Sequence, residues 1–335
     1  MKNIPKTWEC GADHFQSVLT NEWYKVVSSL FSEVTCTTID FFRKEGLSPV
    51  LLPITCPSIS SPMGLGSDSL PVEIELHNEK IYLADSMQFH LEYLLRIQSQ
   101  GVFYIMPTFR GEDPDATHLN QFFHAEAEIQ GGFFDVMQLV NKYVLQLTKN
   151  INSKLSCDLN KVGINTEHLD LFINLNGKVP VVAFEDVFND FKDSEYIEYI
   201  NSDTPIITRK GELKLIEIFK GPVWLSHPRH NSVPFYQGWS EDRKSALSAD
   251  LLLGLGEVVG CGERHTSYQD TYESLKSHGV NHEEYDWYLR LKREFPLKTA
   301  GFGLGIERFL AWVLKHNDIR DLALFNRLKG IKSAP

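Results

Sequence analysis

The stretch Gly301-Phe302-Gly303-Leu304-Gly305-Ile306-Glu307-Arg308-Phe309 places three alternating glycines before a charged pair and the apolar run Leu310 to Leu314. Glycines at alternate positions lie on one face of a strand, where another molecule or backbone can approach closely. The apolar run predicts that the strand turns into a buried helix. An arginine in the first turn opposes the helix dipole unless it pairs with Glu307 or meets an anion. Two interpretations therefore stay open, a packed strand with a Glu307–Arg308 ion pair or a strand beside an anion site.

A second arginine stands at the edge of a polar loop. Thr108 to Glu112 is followed by the loop Asp113 to Thr117 and then by the alternating residues up to Ile129. This pattern predicts strand, loop and strand. Arg110 can direct its fork of donors at a phosphate, and Phe122 offers a flat face to a purine ring. The hairpin therefore carries one side chain suited to a phosphate and one suited to an aromatic base.

These two segments resemble motifs 2 and 3 of the class II aminoacyl-tRNA synthetases, with wording closest to the aspartyl/asparaginyl subgroup. The resemblance implies an α+β fold, an antiparallel sheet flanked by helices, and activation of a carboxylate by ATP as an acyl-adenylate. It implies that Arg110 holds the α-phosphate and Arg308 the γ-phosphate as the catalytic residues, while Phe122 stacks on adenine. The ATP-binding positions implied in addition are Glu112, His118, Glu257, Gly303 and Gly305.

A long helical pattern with a short strand resembles motif 1 of the same family. Apolar residues keep helical spacing from Thr20 to about Lys44, Gly46 is a plausible stop, and an apolar strand runs on to Pro53. The resemblance implies a homodimer with Pro53 at its interface. A surface helix and a strand-ending proline would explain these residues equally well without the other motifs.

Two carboxylates, Asp250 and Glu257, stand on either side of glycines in a third block that runs to Arg264. They could face one hollow across a strand turn, and Mg²⁺ usually takes one or two carboxylates with waters and phosphate oxygens. Either acid alone would more often be an exposed loop carboxylate. The resemblance implies that the pair binds Mg²⁺.

The resemblance also implies an amino-acid pocket. Its positions are Ser86, Gln88, Leu91, Tyr236, Arg264 and Thr299. Gln88 matches a glutamine that contacts the substrate, and Arg264 matches the arginine that holds its side-chain oxygen. Leu91 stands where aspartyl enzymes have a lysine, an apolar choice that asparaginyl enzymes share. Asp85 or Ser86 is alternatively a helix N-cap.

Four positions depart from the subgroup and bear on specificity. They are Thr117 for an arginine, Gln121 for a glutamate, and Lys298 and Thr299 for a Pro-His pair. The family histidine lies close to the bound amino acid, so its replacement by Thr299 leaves the substrate side chain open.

The predicted organisation is a single catalytic domain over residues 1–335 with an insertion at about 150–219. Because the motif 1 helix begins near Thr20, we expect no anticodon-binding domain. The Pro/Gly/Ser-rich loop from Cys56 to Asp68 looks more like that of the free-standing asparagine synthetases.

Composition narrows the class of protein. A net charge of −11 argues against binding nucleic acid over the whole surface, which leaves tRNA binding local or absent. Apolar runs are far shorter than the roughly 18 residues of a membrane span. The cysteines are odd in number and lack C-x-x-C spacing, which predicts reduced thiols and a cytoplasmic protein. They are Cys10, Cys36, Cys56, Cys157 and Cys261.

Three functions fit these motifs. The main prediction is that ammonia attacks an activated aspartate to give asparagine, which the expected absence of an anticodon-binding domain and the Ser/Pro/Gly loop favour. Asparagine or an analogue could be activated for tRNA or a small-molecule acceptor, which Leu91 and the wording around Glu257 favour. A non-catalytic regulator with the synthetase fold is the third, and the complete set of ATP-binding residues argues against it.

Overall fold

A computed structural model describes residues 6–9, 11, 13–61, 66, 69–98 and 100–332. In these residues the α-helices are α1 (His14–Thr20), α2 (Glu22–Lys44), α3 (Gln88–Leu95), α4 (Phe133–Lys161), α5 (Glu167–Leu175), α6 (Phe184–Phe191), α7 (Arg209–Phe219), α8 (Tyr268–Ser277), α9 (Asp286–Glu294) and α10 (Ile306–Val313). The strands are β1 (Ser48–Pro49), β2 (Thr55–Cys56), β3 (Val72–Leu76), β4 (Glu79–Leu83), β5 (Val102–Phe109), β6 (Gln121–Gln130), β7 (Val181–Ala183), β8 (Ile197–Asn201), β9 (Thr204–Ile207), β10 (Val223–Ser226), β11 (Ser248–Leu253), β12 (Gly256–Glu263) and β13 (Thr299–Gly305). Short 3-10 turns lie at Thr7–Glu9, His230–Ser232, His282–Tyr285 and Ile319–Leu322.

An 8-stranded sheet organises the fold in the order β1-β5-β6-β13-β12-β11-β10-β7. Pairing is antiparallel from β5 across to β10 and parallel only at the two edges, β1 with β5 and β7 with β10. The glycine strand β13 lies inside this sheet, between β6 and β12. The predicted α+β architecture with an antiparallel sheet is confirmed.

The two faces of the sheet differ because side chains alternate along each strand. On β6, Ala125 and Ala127 are buried in the main hydrophobic core, as are Phe302 and Leu304 on β13. The apolar stripes of α2 and α4 pack in the same core, where the hydroxyls of Thr38 and Tyr143 lie 2.6 Å apart. The opposite face therefore carries the glycines and the polar side chains of the same strands.

Most predicted elements form, with differences at their ends. The motif 1 helix is α2, which begins at Glu22 because the Asn21 side chain accepts from the Trp23 N–H. The strand predicted up to Pro53 ends at Pro49, so its predicted length is wrong. The N–H groups of Ser48 and Val50 donate to the carbonyls of Gly101 and Phe103 and so pair this strand with β5. Leu51, just beyond the strand, is 98% exposed.

Two further boundaries differ from the pattern-based prediction. Helix α4 continues past the predicted end at Asn150 because Ile151 and Leu159 extend its buried stripe. Met87 holds the N-cap position of α3, although the Ser86 hydroxyl accepts from the Gln88 N–H at 3.2 Å. The Asp85 carboxylate instead accepts from the N–H groups of Ser60 and Ser61 at 2.9 and 2.8 Å.

The segment predicted as an insertion packs against the end of the large sheet. Strand β7 pairs with β10, and the buried side chains of Phe184, Val187 and Phe191 join those of Leu225 and Leu252 in one cluster. Helix α7 contacts β11 and β12 and so reaches the strands that carry the predicted metal ligands.

Two composition-based expectations can be compared with the described residues. No described helix is both long enough and apolar enough to span a bilayer. The described cysteines Cys36, Cys56, Cys157 and Cys261 are free thiols, while Cys10 lies outside the described residues.

Candidate active site

The glycines of β13 make room for carboxylates from the neighbouring strands. Gly301 pairs with Glu128 of β6, and a Cβ at Gly301 would lie 1.8 Å from the Glu128 carboxylate. Gly303 pairs with Glu126 on one side and with Gly260 on the other. The predicted strand-to-helix turn is confirmed, and its bare face lets acidic side chains cross the sheet surface.

Two cavities open on this face and share part of their walls. The first, of about 320 Å³, is lined by most of the predicted ATP-binding residues, Arg110, His118, Phe122, Glu257, Gly303, Gly305 and Arg308. The second, of about 200 Å³, is lined by the predicted amino-acid residues Ser86, Gln88, Leu91, Tyr236 and Arg264. Both walls include Arg110, Asp250, Glu257 and Gly303. The fold thus brings together side chains that are far apart in the sequence.

Two predicted residues lie outside these walls. Glu112 lies 3.8 Å from Arg110 and accepts from the Leu70 N–H at 3.2 Å. Thr299 is fully buried beside the Glu128 carboxylate. Their positions suit a supporting role for the neighbouring side chains.

Arg308 contacts the first cavity rather than its neighbour in the chain. Its Nε donates to the Thr117 carbonyl at 3.3 Å and its Nη1 to the Glu257 carbonyl at 3.0 Å. Glu307 turns inward, where both carboxylate oxygens lie 3.1 Å from the Phe123 N–H. The interpretation as a Glu307–Arg308 ion pair is therefore wrong. Arg308 instead lies 3.8 Å from the Glu257 carboxylate, in the wall of the first cavity.

Arg110 and Phe122 occupy the same wall. The Arg110 Cζ lies 5.6 Å from the Phe122 ring centroid, and the Arg110 Nε has no partner among the described residues. His118 directly follows the polar loop, and its Nδ1 is 3.0 Å from the Asp115 carboxylate. A guanidinium with an unused buried donor suits a phosphate oxygen.

Asp250 and Glu257 converge above Gly260. A Cβ at Gly260 would lie 2.9 Å from the Glu257 carboxylate and 3.5 Å from that of Asp250. Burial, then the charges of Glu257 and Glu212, raise the pKa of Asp250 well above its ordinary value. The described residues contain no group of three or more potential His, Cys, Asp or Glu ligands. Two hard oxygen donors of this kind fit Mg²⁺, which fills its remaining positions with waters and phosphate oxygens.

Glu212 is a residue of this region that sequence reasoning missed. It lies on α7, and its carboxylate accepts from the Glu257 N–H at 3.3 Å. Burial, then the Glu257 charge, raise the pKa of Glu212 to about 7. Gly256 allows this approach, because a Cβ there would lie 2.1 Å from the Glu212 carboxylate. An ordinary glutamate within a helix carries no spacing signal that would have indicated this contact.

A buried ion pair forms the floor of the second cavity. Arg264, 5% exposed, donates from Nε and Nη2 to the Glu128 carboxylate at 3.2 and 3.1 Å, and from Nη1 to Gln237 at 3.0 Å. Burial opposes the charge on Arg264, but the Glu128 carboxylate keeps the pKa of the guanidinium above its ordinary value. Glu128 and Gln237 were not identified from sequence, although Glu128 lies in the alternating segment of β6.

The side of the second cavity near α3 is acidic. The Ser86 hydroxyl donates to Glu126 at 2.7 Å, and the His124 Nδ1 lies 3.0 Å from the same carboxylate. Leu91 is buried in the wall, as predicted for an apolar position. This arrangement suits a cationic or hydrogen-bond-donating group of a ligand.

The four departures from the subgroup fall at different places. Thr117 lines the first cavity, whereas Gln121 lines a separate apolar groove. Lys298 points away from both cavities, since its Nζ lies 3.1 Å from Glu263. Only Thr117 and Thr299 are thus near the candidate site.

The loop after Cys56 is attached to α9 and the turn before it. The Tyr285 hydroxyl donates to the Ile59 carbonyl at 2.8 Å, and the Trp287 indole donates to Ser58 at 3.1 Å. Residues 62–65 and 67–68 of the predicted loop lie outside the described residues.

Glu307 gives a pH-dependent stability that can be measured. The side chain is 4% exposed, and burial raises its pKa from 4.5 to about 7. The folded protein therefore keeps this proton at pH values where the unfolded chain has lost it. The resulting stability is complete below about pH 4.5 and is lost as the pH rises through about 7. Relative to the natural protein, Glu307→Gln should gain about 1–3 kcal/mol between pH 5 and pH 8.

Chemical denaturation at both pH values tests this expectation. Glu294→Gln, a change in an exposed carboxylate, provides the control. Parallel pH profiles for the natural protein and Glu307→Gln would contradict it.

Comparison with known proteins identifies the family. The family model of the class II tRNA synthetases (D, K and N) matches residues 14–329. Asparaginyl-tRNA synthetase from Pyrococcus horikoshii, solved with asparaginyl-adenylate, superposes with a TM-score of 0.86 at 22% identity over 99% of this chain and 76% of that chain. The enzyme from Entamoeba histolytica, also with asparaginyl-adenylate, gives 0.81 at 20% identity over 100% and 74%. Aspartyl-tRNA synthetase from Entamoeba histolytica gives 0.79 at 17% identity over 100% and 64%.

These structures share the fold of this chain, and the family match extends over nearly all of its length. The chain therefore belongs to the class II tRNA synthetases (D, K and N) and is an ATP-dependent ligase.

Proposed function

We propose that this ligase activates the carboxylate of asparagine, or of a close carboxamide analogue, as an acyl-adenylate. The observation that carries the proposal is the buried pair of Arg264 and Glu128 in the second cavity. The guanidinium offers donors and the carboxylate accepts, so the pair complements the C=O and NH₂ groups of a carboxamide. A carboxylate in the same place would face the charge of Glu128.

In this proposal the first cavity binds ATP. Arg110 contacts the α-phosphate, Arg308 the γ-phosphate, and Phe122 the adenine ring. A carboxylate oxygen of the amino acid attacks the α-phosphorus, the bond from that phosphorus to the bridging oxygen breaks, and pyrophosphate leaves. The chemistry needs positioning and charge stabilisation more than proton transfer.

Asp250 and Glu257 are the proposed Mg²⁺ ligands. The ion, when bound, supplies positive charge to the phosphate oxygens. The convergence of the two carboxylates above Gly260 supports this role, and Arg308, 3.8 Å from the Glu257 carboxylate, lies beside them. Glu212 and Arg308 hold the backbone of Glu257 from its N–H and its carbonyl, which orients the carboxylate.

Aspartate with ammonia as the acceptor is the second candidate. If aspartate binds with its side-chain carboxylate toward ATP, its α-carboxylate faces Arg264 and its α-ammonium faces Glu128. The same ion pair then complements the zwitterionic head group. Attack by ammonia on the β-aspartyl adenylate would release AMP and give asparagine.

Hydroxylamine trapping separates the two candidates. The purified chain is incubated with Mg·ATP and either asparagine or aspartate, each with and without ammonium and bulk tRNA. AMP release and the position of the hydroxamate are measured. We expect asparagine to give the α-hydroxamate without ammonium.

A β-hydroxamate from aspartate, with asparagine formed only in the presence of ammonium, would establish the second candidate instead. With radiolabelled asparagine, transfer of the label to tRNA would identify tRNA as the acceptor for the first candidate. If neither amino acid causes AMP release, both candidate functions are refuted and the hypothesis of a non-catalytic regulator is favoured.

A homodimer through the motif 1 face is also proposed. An apolar groove of about 540 Å³ runs between α2, β1 and the start of β6, where Leu51 and Phe325 are exposed. Apolar side chains that gather in one groove mark a candidate contact surface. It supports a second copy of the chain as the occupant.

A further inference from the structure

The amide oxygen of Gln88 faces the second cavity. Gln88 is the first residue of α3, is 4% exposed, and lines that cavity. Its Nε2 donates to the Glu92 carboxylate at 2.7 Å, while its Oε1 has no partner among the described residues. An unpaired buried carbonyl oxygen costs free energy, so a ligand donor at this point would be favoured.

Glu92 is held by two residues of α9. The Tyr288 hydroxyl donates to Glu92 Oε1 at 2.7 Å, and the Lys292 Nζ donates to Oε2 at 2.5 Å. The side chains of Glu92 and Lys292 are both 0% exposed. Burial opposes both charges, but Lys292 beside Glu92 keeps the pKa of the carboxylate below its ordinary value.

An ionised carboxylate can only accept hydrogen bonds. The amide of Gln88 therefore must turn its NH₂ group toward Glu92 and its oxygen toward the cavity. A glutamine in place of Glu92 could accept or donate and would leave both orientations open. The buried charge of Glu92 thus fixes the orientation of the Gln88 amide, which a neutral partner would not do.

The choice of a buried ion pair needs an explanation beyond stability. Ion pairs of this kind are often replaced by apolar residues without loss of stability, because desolvation offsets the attraction. Glu92 and Lys292 lie behind the cavity wall, so neither touches a ligand directly. Their effect on a ligand passes through Gln88.

We propose that the Glu92–Lys292 pair is a positioning device that fixes the Gln88 oxygen toward the amino acid and so selects substrates with a primary ammonium. The inference rests on the proposed function and deepens it, since it names a feature that the substrate must carry. Amino acids without the α-amino group lose this hydrogen bond. A charge-assisted bond of this type corresponds to about a 10- to 100-fold difference in affinity.

The test compares asparagine with its deaminated analogue, succinamate. Binding of both is measured by calorimetry on the full chain. The natural protein should bind the amino acid about 10- to 100-fold more tightly than the analogue. Equal affinities in the natural protein would overturn the proposal.

The double variant Glu92→Gln/Lys292→Met removes the ion pair without a change in net charge. We expect its ratio of amino-acid to analogue affinity to fall to within a few-fold of unity. The KM for the amino acid should rise about tenfold or more, while the KM for ATP and the kcat at saturating amino acid stay close to those of the natural protein. A merely structural role would weaken amino acid and analogue alike and keep the ratio.

Arg290→Gln/Glu294→Gln is the matched control, because it removes an exposed ion pair from the same helix. If the buried variant does not fold, Tyr288→Phe removes one donor to Glu92 and should lower the same ratio. An unchanged ratio in every folded variant would refute the positioning role. No binding of any amino acid to the natural protein would refute the proposed function itself, so the two failures are distinct.

Discussion

Replacement of Arg308 by alanine is expected to lower the kcat of adenylate formation by about 10²–10³-fold. The guanidinium lies in the wall of the first cavity, and the Thr117 and Glu257 carbonyls accept two of its N–H groups. These contacts fix the side chain before ATP arrives, so its remaining donors can meet phosphate oxygens whose charge grows as pyrophosphate leaves. Arg308→Lys keeps the charge but not the fork of donors and should be intermediate. Amino-acid-dependent pyrophosphate release measures the effect.

The control for Arg308 is Arg290→Ala, which removes an exposed arginine of α9. Thermal unfolding of Arg308→Ala must accompany the kinetics, since the two carbonyls lose their donor. The backbone groups lie beside an open cavity, where water can replace the guanidinium. Full activity in folded Arg308→Ala would remove this residue from the catalytic set.

The central part of the fold follows from local patterns in the sequence. Alternating glycines followed by an apolar run predict β13 and α10, and the β5–β6 hairpin follows from alternation on both sides of a polar loop. In both segments the residue pattern and the change of chain direction lie within about twenty residues. The edge strand β1 was overestimated because its length depends on pairing with β5 rather than on its own apolar residues.

The acidic part of the site could not be predicted in the same way. Glu128 is paired with Arg264 because β13 places a bare glycine between β6 and β12. Glu92 meets Lys292 only when α3 and α9 come together, and no spacing in either helix signals the other. Such contacts depend on strand order and helix packing, which short motifs do not determine.

Most positions implied by the family resemblance line the two cavities, whereas most of the departures lie outside them. Lys298 stands beside the position of a substrate-contacting histidine, yet it pairs with Glu263 outside both cavities. Thr299 is buried against Glu128 instead of entering the cavity wall. Of these two positions, only Thr299 therefore adjoins the Arg264–Glu128 pair.

Asp250→Asn is expected to have opposite effects on stability and activity. In the protein without metal, Asp250 faces the carboxylate of Glu257 and is also near that of Glu212. Because the pKa of Asp250 is raised, the repulsion appears only at pH values where this carboxyl ionises. There asparagine removes the charge at nearly constant side-chain volume, so Tm should rise by about 1–3 °C. The same change removes a proposed Mg²⁺ ligand, and the rate of adenylate formation should fall by about 10²-fold or more. Thermal unfolding without Mg²⁺ and AMP release with Mg²⁺ measure the two effects.

Ligand-linked stability distinguishes a metal site from a purely structural acidic pair. Mg·ATP should raise the Tm of the natural protein by mass action, and this rise should be much smaller in Asp250→Asn. Asp193→Asn, at an exposed position, should keep both the activity and the rise. A stabilised variant that keeps its activity and its Mg²⁺ requirement would show that Asp250 is not a ligand. Because stability rises while activity falls, partial unfolding of the variant cannot account for the loss, and the carboxylate must then act on the bound nucleotide or its metal.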